Sequence, residues 1–138
     1  MKGFEIYIDG ASKGNPGPSG IGVVICRGQE VVKNISCYIG RATNNIAEYT
    51  ALIYALQEAL LLKAETIKIK TDSQLLARQI NKVYKVKHVN IVGLYNQATH
   101  LLSGFKEVSI ENIPREQNVG ADKLATEAIK KALKKALC

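Results

Sequence analysis

The stretch Phe4-Glu5-Ile6-Tyr7-Ile8-Asp9-Gly10-Ala11-Ser12-Lys13-Gly14-Asn15-Pro16-Gly17-Pro18 constrains the fold more than any other part of the chain. Phe4, Ile6 and Ile8 alternate with more polar residues and make one face of a half-buried strand. The Gly- and Pro-rich run behind them suits neither helix nor sheet. The strand is therefore expected to stop at Asp9, leaving a carboxylate at its carboxyl end. In open α/β sheets that edge is where ligands bind. The chain contains only three aspartates, Asp9, Asp72 and Asp122.

The rest of the chain reads as one mixed sheet with helices on its faces, in the order β-β-β-α-β-α-α-β-α. Gly20 to Arg27 and Val31 to Ile39 form a hairpin about a Gly28-Gln29 turn. Thr43, Asn44 and Asn45 are all helix N-cap types, and Ile46 to Leu62 carries neither Gly nor Pro. In that helix Tyr49, Leu52, Ile53, Leu56 and Leu60 form the apolar arc, with Glu48 on its shoulder in the opening turn. Glu65 to Thr71 alternates again and ends at Asp72. Ser73 and Gln74 open a short helix over Leu75 to Ile80, and a further helix spans Val89 to Leu102. Lys106 to Ile113 is the last strand, Pro114 to Gly120 a loop, and Ala121 to Ala136 the final helix. Leu124, Ala125, Ala128, Ile129, Ala132 and Leu133 make that helix's apolar stripe. Lys130, Lys131, Lys134 and Lys135 lie largely opposite, as solvated charges near a helix C-terminus or as a nucleic-acid contact.

At 138 residues the chain is expected to be a single domain, residues 1–138. No apolar run approaches the roughly 20 residues that span a bilayer, and no signal peptide precedes the first strand. No membrane association and a cytoplasmic location are the corresponding expectations, with a monomer as the expected state. A net charge of +7 favours a polyanionic partner, nucleic acid before an anionic membrane. Six Tyr, two Phe and no Trp leave few stacking platforms, which favours a duplex over an unstacked single strand. Cys26, Cys37 and Cys138 show no zinc-type spacing. Across the hairpin Cys26 and Cys37 lie about 20 Å apart, too far for a disulfide. Cys138 could reach one of them from a docked C-terminus, with free thiols as the plainer alternative.

If the strands ending at Asp9 and Asp72 are parallel neighbours, their carboxylates face each other about 4.8 Å apart. Two bare carboxylates there repel, and one is forced to take a proton unless a divalent cation removes the conflict. Oxygen-only ligation suits Mg²⁺ or Mn²⁺ rather than Zn²⁺. Glu48 and Asp122 open two helices and can reach the same edge. Each acid alone has a duller reading, as a strand-end residue or a charge complementing a helix dipole.

Asp9-Gly-Ala-Ser-x-Gly-Asn-Pro-Gly-Pro, Thr43-Asn44-Asn45-x-x-Glu48, Thr71-Asp72-Ser73-Gln74 and Asn118-x-x-Ala121-Asp122-x-Leu124-Ala125 together resemble type 1 ribonuclease H. The four blocks stand in the family's order and cover essentially the whole chain. The resemblance implies the α/β ribonuclease H-like fold, a five-stranded mixed sheet flanked by helices. It also implies hydrolysis of the RNA strand of RNA–DNA hybrid duplexes, giving 5′-phosphate and 3′-hydroxyl ends. By the same resemblance Asp9, Glu48, Asp72 and Asp122 are the catalytic residues and hold two Mg²⁺ ions, for which Mn²⁺ can substitute. Two such ions roughly 4 Å apart can activate water and stabilise the leaving oxygen. Gly10, Asn15, Asn44, Asn45, Ser73 and Gln74 match substrate-binding positions, Thr43 a DNA-phosphate contact, and Asn81 a further one. Amide side chains suit this task, because a carboxamide both donates to and accepts from a 2′-hydroxyl. The plainer readings give Asn15 to the turn and Asn44 or Asn45 to the helix cap.

Two departures qualify the resemblance. The loop from Pro114 to Ala121 lacks the histidine that many relatives place there, and Arg115 or Glu116 is the candidate to cover its proton-transfer or product-release role. His88 and His100 read as surface or core histidines. The segment Lys82 to Asn90 is too short for a basic protrusion, which leaves Lys85 and Lys87 for modest backbone attraction. Besides the hybrid nuclease, the residues are compatible with a nuclease that also cleaves double-stranded RNA, or with a binding module whose catalysis has lapsed. Hybrid affinity is expected to be weak and to fall steeply between low and moderate salt, which a fluorescence-anisotropy titration checks. A nearly flat salt dependence would contradict that reading.

Overall fold

A computed structural model describes residues 3–136. Strands β1 (Gly3–Ser12), β2 (Gly17–Arg27) and β3 (Glu30–Ala42) are followed by α1 (Asn44–Leu61), β4 (Thr66–Thr71), α2 (Gln74–Ile80) and α3 (Val89–Leu102). Strand β5 (Glu107–Asn112), a 3-10 turn at Arg115–Gln117 and α4 (Val119–Ala136) complete the order. The five-stranded sheet has the order β3-β2-β1-β4-β5, with β1–β2 and β2–β3 antiparallel and β1–β4 and β4–β5 parallel. This is the expected mixed sheet, flanked by helices, with the strands carrying Asp9 and Asp72 as parallel neighbours. No helix among the described residues is long and apolar enough to cross a membrane.

Strand β1 does not end at Asp9, as the alternation implied. Its parallel ladder with β4 stops at Ile8–Thr71, while its antiparallel ladder with β2 runs on through Asp9–Gly22 to Ser12–Ser19. Lys13 N–H closes that hairpin onto the Pro18 carbonyl at 2.8 Å. Asp9 is thus the first residue beyond the parallel ladder yet is still gripped by β2. A carboxylate can face an open sheet edge there without fraying the strand beneath it.

One sheet face carries Phe4, Ile6, Ile8, Ile21, Val23, Ile25, Ile67 and Ile69, all buried. Helix α1 covers it with Ala47, Ala51, Ala55 and Ala59 beside Tyr49, Leu52, Ile53 and Leu56. Burial of each large aliphatic side chain contributes roughly 1.5–3 kcal/mol. The stripe is centred on the i, i+4 alanines, which let the helix lie close to the sheet. Leu60, expected in the apolar arc, is consequently turned outward at 36% exposure. Thr43 alone caps α1, its Oγ1 accepting from Ile46 N–H at 3.2 Å. Asn44 and Asn45 are therefore the first helical residues rather than caps, and both side chains are exposed.

The opposite face receives α4 through small residues. Gly20 and Gly22 of β2 lie under Ala121, Ala125 and Ala128, and a Cβ at Gly22 would collide with the Ala121 carbonyl. The final helix begins at Val119, two residues before the expected Ala121, because Asp122 N–H already donates to Asn118 O at 3.1 Å. The supposed loop from Pro114 to Gly120 is correspondingly ordered, with Arg115–Gln117 forming a 3-10 turn. Cys26 stands opposite Val31 and Cys37 opposite Ile21, several rungs apart, as free thiols. Cys138 and its suggested bridge lie outside the described residues.

The Gly22 contact generates the first mutational prediction. Gly22→Ala should push α4 off the sheet and destabilise the protein by about 1–3 kcal/mol, the usual cost of overpacking. Urea denaturation measures this, and an unchanged midpoint would show that α4 does not depend on that close approach.

Candidate active site

Asp9, Glu48 and Asp72 each offer a carboxylate oxygen within 4.8 Å of the other two. They come from different elements, and each is held by local structure. Asp9 is fixed by the β1–β2 ladder. Asp72 follows β4, whose end is pinned twice: Asn112 Nδ2 and Ile113 N–H both donate to the Thr71 carbonyl, at 3.1 and 2.8 Å. Thr71 Oγ1 then accepts from Ser73 N–H at 3.0 Å, turning the chain so that Asp72 faces Asp9's side of the edge. Glu48 lies one full turn into α1, beyond the opening turn expected for it, so the helix dipole does not account for its charge. Its Oε1 accepts from Gly10 N–H at 2.5 Å. A Cβ on Gly10 would strike the backbone of Ala47 and Glu48, so only glycine lets α1 approach this closely.

Asp122 adjoins the trio rather than completing a tight quartet. It sits in the first turn of α4 and lines the same polar pocket, of about 480 Å³, as Asp9, Glu48 and Asp72. Arg115 lines that pocket too, its guanidinium 3.7 Å from Asp122 Oδ1. Glu116, one residue on, is exposed and is not among the pocket's lining residues. Asn118, quoted above only as part of a motif, is buried at 1% exposure. Its Nδ2 donates to the Ile8 carbonyl at 2.8 Å, which ties the start of α4 to the residue before Asp9. Its Oδ1 has no partner among the described residues.

The electrostatics of this cluster are unfavourable as it stands. Burial first, and then the charges of Glu48 and Asp72 and the proximity of Asp122, push the Asp9 carboxyl up to about 9. Burial likewise drives Glu48 up to about 8, opposed by the Gly10 N–H and Arg115 and reinforced by Asp72. Three carboxylates, two of them buried, face one another with a single exposed arginine nearby. An oxygen-only donor set with excess negative charge fits hard divalent cations such as Mg²⁺ or Mn²⁺.

Beside the acids runs a surface of amide and hydroxyl groups. Asn44 and Asn45 line both the acidic pocket and a neighbouring pocket of about 350 Å³. Asn15 and Thr43 line the second pocket, joined by His88 and Asn90 from the start of α3. Asn15 Oδ1 accepts from Asn44 N–H at 3.0 Å, so it is bound to α1 rather than spent on its own turn. His88 is exposed and caps α3, its Nδ1 accepting from Asn90 N–H at 3.3 Å. Neither His88 nor Asn90 was singled out as a contact from the sequence. Both enter because α3 docks against α1, which no local pattern announces. Gly10 and Ser73 line the acidic pocket, and Ser73 also caps α2 by accepting from Leu76 N–H at 3.1 Å. Gln74, the first residue of α2, is exposed. Asn81 Nδ2 donates to the Ile110 carbonyl at 3.1 Å, and the residue is not among those lining either pocket.

Residues 7–128 match the family model described as Reverse transcriptase-like. Bifunctional protein Rv2228c of Mycobacterium tuberculosis is 41% identical over 95% of this chain, which spans only 36% of that relative's length. The crystal structure of RNase H1 from Halobacterium salinarum superimposes with a TM-score of 0.91 at 40% identity, over 94% of this chain and 98% of that one. LC11-RNase H1, solved in complex with an RNA/DNA hybrid, gives a TM-score of 0.89 at 40% identity, over 94% of this chain and 99% of that one.

The acid cluster predicts how the metal-free protein responds to pH. A carboxyl raised in the folded state stabilises the fold below its unfolded value and loses that contribution as pH rises through the folded value. Metal-free protein should therefore lose stability as pH rises from about 4 towards 9, the range over which Asp9 is displaced. Asp9→Asn should flatten this loss, raising the melting temperature most at the alkaline end. Thermal melts in chelator at several pH values test it, and parallel curves for the two proteins would contradict it.

Proposed function

The chain belongs to the type 1 ribonuclease H family, and from that premise we propose that it hydrolyses the RNA strand of RNA–DNA hybrids with divalent cations held by Asp9, Glu48, Asp72 and Asp122. The observation that carries the reading is the meeting of three carboxylates within 4.8 Å at a sheet edge bordered by exposed amides. The hybrid in the LC11-RNase H1 complex supports the substrate class. Because the chain spans 36% of the mycobacterial relative, the proposal concerns this domain's own chemistry.

In the proposed reaction a water oxygen attacks phosphorus in line with the departing 3′-oxygen. The products are a 5′-phosphate and a 3′-hydroxyl. When bound, two Mg²⁺ or Mn²⁺ ions supply Lewis acidity to the attacking water and to the leaving oxygen. The protein's own groups do the rest. Asp9 lies just past the β1–β4 ladder but inside the β1–β2 ladder, Asp72 follows the last residue of β4, and Gly10 N–H orients Glu48, so the donor oxygens are preorganised. Asn118 couples β1 to α4 and thereby sets Asp122 against Asp9. Arg115 holds Asp122 and presents a cation at the pocket mouth, where it can accompany a phosphate entering or leaving.

Substrate choice rests on groups that read sugars rather than bases. Asn15, Asn44, Asn45 and Gln74 offer amides, Gly10 and Ser73 flank the acids, and Thr43 meets a DNA phosphate. Thr43 and Ser73 cap their helices through the hydroxyl oxygen, which leaves each hydroxyl hydrogen free to donate to the substrate. His88 and Asn90 extend this surface. Of the two loop candidates for the missing histidine's role, Arg115 is favoured by its place on the pocket wall.

The deciding experiment incubates labelled RNA–DNA hybrid, RNA duplex and DNA duplex with the protein in Mg²⁺, Mn²⁺ or chelator. Cleavage of the hybrid's RNA strand is expected with either cation and none in chelator. Asp72→Asn should lower turnover by more than about 100-fold, the upper range for loss of an outer-shell metal partner. Cleavage of RNA duplex at a comparable rate would widen the substrate class. Full activity in chelator or in Asp72→Asn would overturn the proposal. Arg115→Ala should slow turnover while Glu116→Gln leaves it unchanged, and the opposite order would assign the loop's role to Glu116.

A further inference from the structure

We propose that the groove between the C-terminal half of α4 and the edge strand β3 binds single-stranded nucleic acid that continues from the hybrid; this rests on the hybrid-nuclease reading above. The groove has a volume of about 640 Å³ and lies on the sheet face opposite α1. Strand β3 contributes Ser36 and Tyr38, which stand opposite Gly22 and Gly20 of β2. Helix α4 contributes Lys131, Lys134 and Lys135, all exposed, and Ala128 and Ala132 give a small apolar floor. Ser36 Oγ donates to the Leu124 carbonyl at 2.7 Å, pinning the helix to the strand just ahead of the groove.

The chemistry of the lining selects the ligand. Ion pairs among the described residues join Lys33 to Glu58, Lys70 to Glu5 and Arg115 to Asp122, and none uses a groove lysine. Among the described residues no acidic side chain lines the groove. Three lysines with no ion pair among the described residues complement a row of phosphates. Tyr38 is 42% exposed beside them and offers a face for a base to stack on. A charged groove with one stacking ring suits one unpaired strand, whose bases are free to leave the helix; a duplex keeps its bases stacked and needs a broader surface.

The spacing links the groove to the acids. Lys131 and Lys135 follow Asp122 by nine and thirteen residues on the same helix. At 1.5 Å per residue that is about 14–20 Å, or about four to six nucleotides at roughly 3.4 Å each along a helical strand. The lysines on α4 thereby become a positional device rather than only a solvated face. They favour hybrids that adjoin a single-stranded stretch.

The test compares blunt hybrids with hybrids carrying a single-stranded tail of about 12 nucleotides at either end, long enough to exceed that span. KM and kcat are measured for the wild type, for Lys131→Ala/Lys134→Ala/Lys135→Ala, for Tyr38→Ala, and for the control Lys68→Ala/Lys106→Ala. A tail at one end should lower the wild-type KM about fivefold at low salt, as added phosphate contacts and one stacked base require. The triple variant should erase that advantage without changing kcat on the blunt hybrid, and Tyr38→Ala should reduce it. The control pair should keep it. Equal KM values for blunt and tailed hybrids in the wild type, or a tail advantage that survives the triple variant or vanishes in the control, would overturn the proposal. Failure to cleave either hybrid would instead overturn the parent reading. In that case fluorescence anisotropy of a labelled single strand, wild type against triple variant, still decides the groove: tighter wild-type binding supports it and equal binding refutes it.

Discussion

The close approach of three backbones around Asp9 is the constraint on which the rest of this molecule depends. Gly22 lies opposite Asp9 in the β1–β2 ladder, and its missing Cβ is filled by the Ala121 carbonyl of α4. Gly10, the next residue along β1, leaves room on the other face for the backbone of Ala47 and Glu48. Two glycines on opposite faces thus let a helix from each side reach one carboxylate, bringing Glu48 and Asp122 with them. The alanines of α1 and α4 serve the same end, since a larger stripe on either helix would lift it from the sheet.

That packing brings together charges which oppose the fold. Burial and mutual repulsion raise Asp9 and Glu48 far above the ordinary carboxyl range, and the nearby arginine is mostly solvent-exposed. A hydrophobic core would not select such an arrangement, and a buried polar cluster is retained where it has a task. On the proposed reading, divalent cations held there would resolve the conflict by supplying the missing positive charge. That reading couples stability and chemistry through the same oxygens. The pins at Thr71, Ile8 and Gly10 make the acids poor at relaxing apart, which is the property a preorganised cation site needs.

Much of this was legible from local pattern. The alternation of Phe4, Ile6 and Ile8, and of Ile67 and Ile69, marked two strands ending near aspartates, and their parallel pairing brings those aspartates together. What stayed hidden depends on neighbours distant in sequence. The extension of β1 past Asp9 is set by β2, not by the composition of Gly10–Ser12. Three consecutive cap-type residues open α1, and only backbone geometry makes Thr43 the cap and frees Asn44 and Asn45. Leu60 faces out because α1 is turned by its alanines. Asn118 looks like a loop residue until its bond to Ile8, 110 positions earlier, is visible. His88 gave no sign of its place beside Thr43, since that depends on how α3 docks on α1.

The central claim is that these acids share one cation site, and paramagnetic broadening tests it most directly. Substoichiometric Mn²⁺ is added to isotope-labelled protein and the backbone amide resonances are followed. The account predicts selective loss of signals from residues 9–12, 47–49, 72–74 and 121–123, reversed by excess Mg²⁺. Broadening spread along exposed acids such as Glu30, Glu65 and Glu107, or none at these four segments, would contradict it.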